Sequence, residues 1–408
     1  MTIIQANYIV TCDEDSTIIN DSAIVFDTKI IDIDTIANIK QKYPNTPIKN
    51  LGPNSVILPG LINSHTHLEF SANQTTLRYG NFISWLYSVI ANREELIEKA
   101  TTSLIEQKLT NMLQSGTTTI GAISSYGFDL EALKNAKQNI VYFSEIIGSN
   151  PAMIDTLFDD FKAKLKNAKE FKSDRFIPAI AIHSPYSVHP FLIRETLKLA
   201  KDGSLPITAH FLESSEEYEW LESSSGKMSE FFKEFLNQTQ SLTTKEDFLN
   251  QFKSYEKLSF THCSYAKDDD LKLIKSLDAT IIHSPVSNRF LTNNTIDFTN
   301  LLDENFAIGT DGLSSNYSLS LWDEMRNALF IHKNIDIHLL AQKLILATTK
   351  GGAKALGFSD KGSLKKGFNA DIISVTLPDS CQKEDILLQL ILHTKKVDTL
   401  YIKGERLV

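Results

Sequence analysis

The sequence predicts an α/β fold built on a (β/α)8 TIM-like barrel, with short β-rich segments at both chain ends. Two observations carry this. Between residues 60 and 311, eight short apolar runs alternate with longer stretches of helical spacing. That alternation implies a parallel sheet, and eight units allow it to close into a barrel. Most of the runs also end on a polar or ionisable residue: His65 and His67, Glu145, His183, His210, His262, His283 and Asp311. Six of the chain's 10 histidines therefore fall at the same end of successive strands. Random scatter over surface and core would not produce this, and that edge is where such a barrel gathers its active site.

Residues 1–58 hold "NYIVTC", "SAIVFD" and "KIIDID", β-rich runs separated by polar residues, with "YPNTP" as a turn. The eight central runs follow. They are "GLIN" (60–63), "TTTIGAI" (117–123), "IVYFSEI" (140–146), "FIPAIAI" (176–182), "PITAHF" (206–211), "LSFTHC" (258–263), "ATIIHS" (279–284) and "FAIGTD" (306–311). The end of the chain returns to strand-like sequence in "ADIISVTL" (370–377) and "VDTLYIKGERLV" (397–408). Two connections, 68–115 and 213–257, exceed ordinary loop length, and "NFISWLYSVIANREELIEKA" and "GKMSEFFKEFL" inside them have helical spacing. Inserts on this face either cover a pocket or pack against the barrel or a second copy in a homodimer, and both readings stay open.

Composition excludes several classes. With 42% hydrophobic and 22% charged residues the chain is of ordinary globular type. A net charge of −9 argues against a nucleic-acid footprint, which needs clustered Lys and Arg. "MTIIQANYIVTCDEDS" lacks the basic start of a secretory signal, and no apolar run is long enough to cross a bilayer. Cys12, Cys263 and Cys381 imply no disulfide framework, so a reducing cytoplasm is the expected setting.

On an extended strand His65 and His67 point to one face, which is how two imidazoles come to grip a transition metal. With His210 and Asp311 they form a plausible ligand set for Zn²⁺, or Fe²⁺, with a position left for water. Such an ion lowers the pKa of a bound water to about 7, and Asp311 could accept its proton. Glu213, three residues after His210, could swing back as a proton carrier; read alone it is a helix-start acid. His262 could orient the water or stabilise a developing oxyanion, against the alternative of a hydrogen-bonded barrel histidine. Cys263 should point out of the barrel by strand alternation, and His283 lines the pocket rather than binding metal. His189, His332, His338 and His393 receive no assignment.

Taken together, "PGLINSHTHLE", "ITAHFLES", "FTHCSY", "IIHSPVSN", "IGTDGLSSNYSLSLWDEMRNAL" and "KGFNADII" resemble the amidohydrolase superfamily, in its deaminase and chlorohydrolase branch. The likeness implies a metal-dependent barrel over residues 59–360 and a small β-sandwich built jointly from residues 1–58 and 361–408. It implies His65, His67, His210 and Asp311 as metal ligands, Glu213 as proton shuttle and His262 as the partner of Asp311 in activating water. "HSPYS" resembles the strand-four motif of adenosine-type deaminases and makes His183 a substrate contact. The fourth strand ends without the lysine that two-metal relatives use, so one ion is expected, zinc or iron.

The reaction implied is hydrolytic deamination of an aminated purine. "HTHLEF" followed by "FISWLYSVIANR" is similar to the 6-amino-6-deoxyfutalosine deaminases of the futalosine route to menaquinone. Adenosine, methylthioadenosine, S-adenosylhomocysteine and guanine deaminases are the alternatives. Glu69, Trp85, Arg93, Glu145 and Arg289 are candidate pocket residues, Trp85 to stack on a base and Glu69 to bind ribose hydroxyls. A catalytically dead barrel kept for binding would not need the complete metal and proton-transfer sets.

Overall fold

Alternating apolar residues near the N-terminus build three antiparallel strands, β1 (Thr2–Val10), β2 (Ile18–Phe26) and β3 (Ile30–Thr35). Ile3, Ala23 and Val25 pack with Ile39 of the helix Ile36–Lys42, while Ile4, Ile24 and Phe26 pack with Ile57, Ile372 and Tyr401. The computed structural model of the chain describes residues 1–13, 16–298 and 305–408.

Strands β4 (Ile48–Asn50) and β5 (Ser55–Pro59) add to β1 in parallel. The two chain ends then meet in one eight-stranded sheet. Its C-terminal members are β14 (Ile372–Thr376), β15 (Thr399–Ile402) and β16 (Glu405–Arg406), with Ile372 opposite Pro59 and Thr376 opposite Ser55.

Between them lies a second, all-parallel sheet of eight strands in sequence order: β6 (Leu61–Thr66), β7 (Thr117–Ser124), β8 (Asn139–Ile146), β9 (Phe176–Ile182), β10 (Ile207–Phe211), β11 (Leu258–His262), β12 (Thr280–His283) and β13 (Phe306–Ile308). Nearly every residue in these strands is buried. Helices therefore cover the outer face, as the near-continuous apolar runs require. The last strand comes back beside the first: the Asp311 amide donates to the His65 carbonyl at 3.0 Å, and Asn63 Nδ2 donates to Thr310 Oγ1 at 2.7 Å. Gly309 permits this approach, since a Cβ there would lie 2.7 Å from that of His65.

The first insert forms the helices Phe82–Ala91, Arg93–Lys99 and Thr102–Gln114; its predicted long helix breaks at Asn92. The second forms Ser215–Ser223, Gly226–Leu236 and Lys245–Asn250. The two meet over the mouth of the barrel. Tyr87 packs on Phe231 and Phe235, its hydroxyl donates to Glu234 Oε2 at 2.6 Å, and Asn81 Nδ2 donates to Glu216 Oε1 at 3.1 Å. Among the described residues no helix is long and apolar enough to cross a membrane.

Candidate active site

Strand geometry brings the first two histidines together. His65 lies inside β6 and His67 just past its end, and their Nε2 atoms are 3.1 Å apart. His210 of β10 faces them with its Nε2 3.4 Å from that of His67. Asp311 Oδ1 lies 3.8 Å from His65 Nε2 and 3.6 Å from His67 Nε2. All four side chains are buried.

These donors fit a divalent cation. His210 Nδ1 sits 2.6 Å from the His183 carbonyl oxygen, which can only accept, so the proton is on Nδ1 and Nε2 presents a bare lone pair. Burial, then neighbouring imidazoles, hold His210 well below the usual histidine range, and burial and His67 do the same for His65. With Nε2 of His210 bare, a cation among the three nitrogens would take the place of a shared proton. Their spacing is close to the roughly 3.3 Å edge of a tetrahedron with zinc–nitrogen bonds. Asp311 supplies the charge. Its Oδ2 accepts from the Ser287 and Ser315 hydroxyls at 2.7 and 2.8 Å, and Oδ1 accepts from the Gly312 amide at 2.9 Å. Burial opposes that charge, but His67, His262, His65 and the Ser287 hydroxyl outweigh it and keep the carboxyl below its ordinary range.

Beside this set stand two proton-carrying groups. Glu213 Oε1 is 3.4 Å from His262 Nε2. Burial, reinforced by Asp311, raises the Glu213 carboxyl well above its usual range, a shift that favours its protonated form. The backbone carries strain here: Leu212, His262, Cys263 and Asp311 all have φ between 48° and 73°, the left-handed region. Such residues cost on the order of 1–3 kcal/mol each and persist where surrounding structure holds them. The three strand ends turn sharply, which aims Glu213, His262 and Asp311 at a common point.

Above the point lies a cavity of about 390 Å³ between the inserts, walled by Phe70, Phe82, Trp85, Tyr126, Tyr186 and Phe232. His67, His183, His210, Glu213, His262 and Asp311 form its polar floor. Trp85 is anchored through Nε1, which donates to the Ser314 carbonyl at 2.8 Å. Arg93 reaches the rim and lies over the Tyr126 ring at 5.0 Å. His183 keeps its ring in place through Nδ1, 2.6 Å from Ser187 Oγ.

Of the expected pocket residues, Glu69 and Arg289 stand away from the cavity lining, while Glu145 keeps a carboxylate oxygen within 4.8 Å of ring nitrogens of His183 and His210 at the floor. Glu69 is fully buried and is consumed by the loop after β7. Its carboxylate accepts from the amides of Ser125, Tyr126, Gly127 and Phe128, at 2.7 Å for Ser125 and Gly127. It therefore shapes the wall that Tyr126 belongs to, instead of facing ribose hydroxyls. Glu145 is buried and accepts from the Ser125 hydroxyl at 2.5 Å. Arg289 lies exposed on the helix Pro285–Leu291.

Of the remaining histidines, His189 caps the helix Pro190–Gly203, accepting from the Phe191 amide at 3.1 Å. His338 faces Asp385 at 3.7 Å on the surface, and His393 ends the last helix. His283 and His332 pair with each other behind the floor. Cys263 is buried in the core outside the cavity, and burial raises its thiol well above the usual range. Sequence reasoning passed over Ser287, Asn288, Ser315 and Glu217. The first two stand in "HSPVSN" and Ser315 in "GTDGLSS", so motif membership was their only signal. Glu217 accepts from the Glu213 amide at 2.8 Å, four residues on.

The family model described as Amidohydrolase family matches residues 56–407. The chain is 46% identical over 390 residues to the aminodeoxyfutalosine deaminase of a Nitratiruptor species, covering 95% of this chain and 96% of that protein. It is 35% identical over 413 residues to a Helicobacter pylori protein named adenosine deaminase, covering 100% of this chain and 99% of that one. The crystal structure of Helicobacter pylori aminofutalosine deaminase in complex with methylthio-coformycin superposes with a TM-score of 0.96 at 35% identity, covering 100% of both chains.

Proposed function

The chain belongs to the amidohydrolase family, and we propose that it is a metal-dependent hydrolytic deaminase of an adenine-bearing, nucleoside-like small molecule. The substrate that fits best is 6-amino-6-deoxyfutalosine, which it would convert to futalosine and ammonia. One observation carries the reaction class: three imidazole nitrogens and a carboxylate converge beside the buried carboxyl of Glu213, at the floor of an aromatic cavity. The 46% identity over 95% of the chain to an aminodeoxyfutalosine deaminase supports the substrate.

His65, His67, His210 and Asp311 would hold the ion, for which zinc suits the nitrogen-rich set and iron is the alternative. When bound, it supplies Lewis acidity that makes water an effective nucleophile near neutral pH. The residues do the rest. Trp85 and its aromatic neighbours stack on the purine and exclude bulk water. His183 contacts the ring from β9. Asp311 accepts a proton from the attacking water, and His262 holds that water in line. As the water oxygen bonds to the amidine carbon, Glu213 donates its proton to the adjacent ring nitrogen. A proton passed on to the amino group lets the carbon–nitrogen bond break, and ammonia leaves with the bonding pair.

Incubation with aminodeoxyfutalosine, adenosine, methylthioadenosine, S-adenosylhomocysteine and guanine, with ammonia release as the readout, tests this. Turnover is expected to be fastest with aminodeoxyfutalosine; no turnover of any adenine-bearing compound rejects the proposal. Methylthioadenosine is the second reading, since the similar Helicobacter pylori structure accepts methylthio-coformycin.

A further inference from the structure

Behind the cavity floor a line of buried polar side chains runs outward from His262. His262 Nδ1 is 2.8 Å from Asn288 Oδ1; Asn288 Nδ2 is 3.4 Å from His283 Nδ1; His283 Nε2 is 3.0 Å from His332 Nε2. All four are at most 7% exposed. We propose that Asn288 is a positioning residue that fixes the proton of His262 on Nδ1, with its amide nitrogen turned to His283. This rests on the reading of His262 as a working group of the centre.

The argument follows from donor and acceptor chemistry. An amide oxygen only accepts and an amide nitrogen only donates. With Oδ1 toward His262, the histidine must carry its hydrogen on Nδ1, which leaves the Nε2 lone pair facing Glu213 Oε1 at 3.4 Å. With Nδ2 toward His283, that ring must be bare at Nδ1 and, when neutral, protonated at Nε2, from which it donates to His332. Neutrality holds at both outer rings. Burial, then His332 and His262, keep His283 well below the usual range, and burial brings His332 to about 4 against the pull of Asp297.

If Asn288 were apolar, either His262 tautomer could form, and the Nε2–H form would lose the lone pair that faces Glu213 Oε1. Asn288 touches neither the cavity nor the proposed metal ligands. Its effect on the reaction would run through His262 alone.

The test reads the tautomer directly. Long-range proton–nitrogen NMR of the metal-loaded protein with ¹⁵N-labelled histidine, with the His262 signal assigned by its loss in His262→Gln, should show Nδ1 protonated and Nε2 bare. An Nε2–H pattern in the unsubstituted protein overturns the proposal whatever any variant does. Asn288→Leu, close in size, should abolish the pattern and lower kcat about 10- to 100-fold with KM and metal content unchanged. Asn288→Asp, which keeps an acceptor toward Nδ1, should restore most of kcat. Native kcat in Asn288→Leu, or a loss of kcat that Asn288→Asp fails to restore, also overturns it. Should no substrate be turned over by the native protein while the Nδ1–H pattern is present, the deaminase reading fails and the positioning of His262 stands.

Discussion

His210 donates its Nδ1 proton to the backbone carbonyl of His183 at 2.6 Å, so the end of β9 dictates which nitrogen of β10 faces the cavity. The bond aligns a side chain on one strand through the main chain of its neighbour. A carbonyl cannot change its hydrogen-bonding role, which makes it a stricter orienting partner than a side chain.

The converging donors predict a bound ion. The protein as isolated should carry about one zinc or iron per chain. His65→Ala and Asp311→Ala should both lose it, and Asp311→Ala should also lower the melting temperature, since it strands the Ser287 and Ser315 hydroxyls. Elemental analysis beside circular dichroism decides; a native protein free of metal would remove the premise.

Glu213 predicts a split between binding and chemistry. Glu213→Gln keeps size and polarity but has no proton to give, so it should retain metal and lower kcat by about 10²- to 10⁴-fold. Near-normal turnover would take Glu213 out of the reaction.

Glu69 predicts an effect on binding from outside the cavity. Four amides converge on its carboxylate, helped by Gly127 at φ 92°. Glu69→Ala strands them, at about 1–3 kcal/mol for each that water cannot reach. A lowered melting temperature and a raised KM are expected, because the same loop carries Tyr126. An unchanged KM would show that the loop does not shape the cavity.

Glu324 predicts a pH dependence of stability. Burial, opposed by the Asn316 side chain and the Val286 amide, raises its carboxyl from 4.5 to about 8. The folded state thus binds more protons than the unfolded chain across that interval, and this group's contribution, full below pH 4.5, is lost as pH rises through 8. Glu324→Gln removes the titration, so its melting temperature should fall less than that of the native protein between pH 5.5 and 8. Parallel curves for the two would refute this.

The barrel was legible because its signals are local. Strand alternation put His65 and His67 on one face, and the apolar runs of β7 to β13 could be read one at a time. The same locality placed His210, Glu213, His262 and Asp311 at strand ends. The helix Gly226–Leu236 was read from its spacing, whereas the break at Asn92 was not, since it depends on how the first insert bends over the mouth.

By itself, then, the sequence determined the barrel, the edge where chemistry gathers and the residue types gathered there. Tertiary structure alone decided what each buried polar group faces. Glu69 looks like a ligand-binding acid beside the His-x-His pair, yet its carboxylate is spent on amides more than fifty residues away. His283 looks like a pocket residue, yet its nitrogens turn to Asn288 and His332. A buried donor or acceptor must find a partner wherever the fold brings one, and those partners are set by the packing of distant segments, which no local pattern encodes.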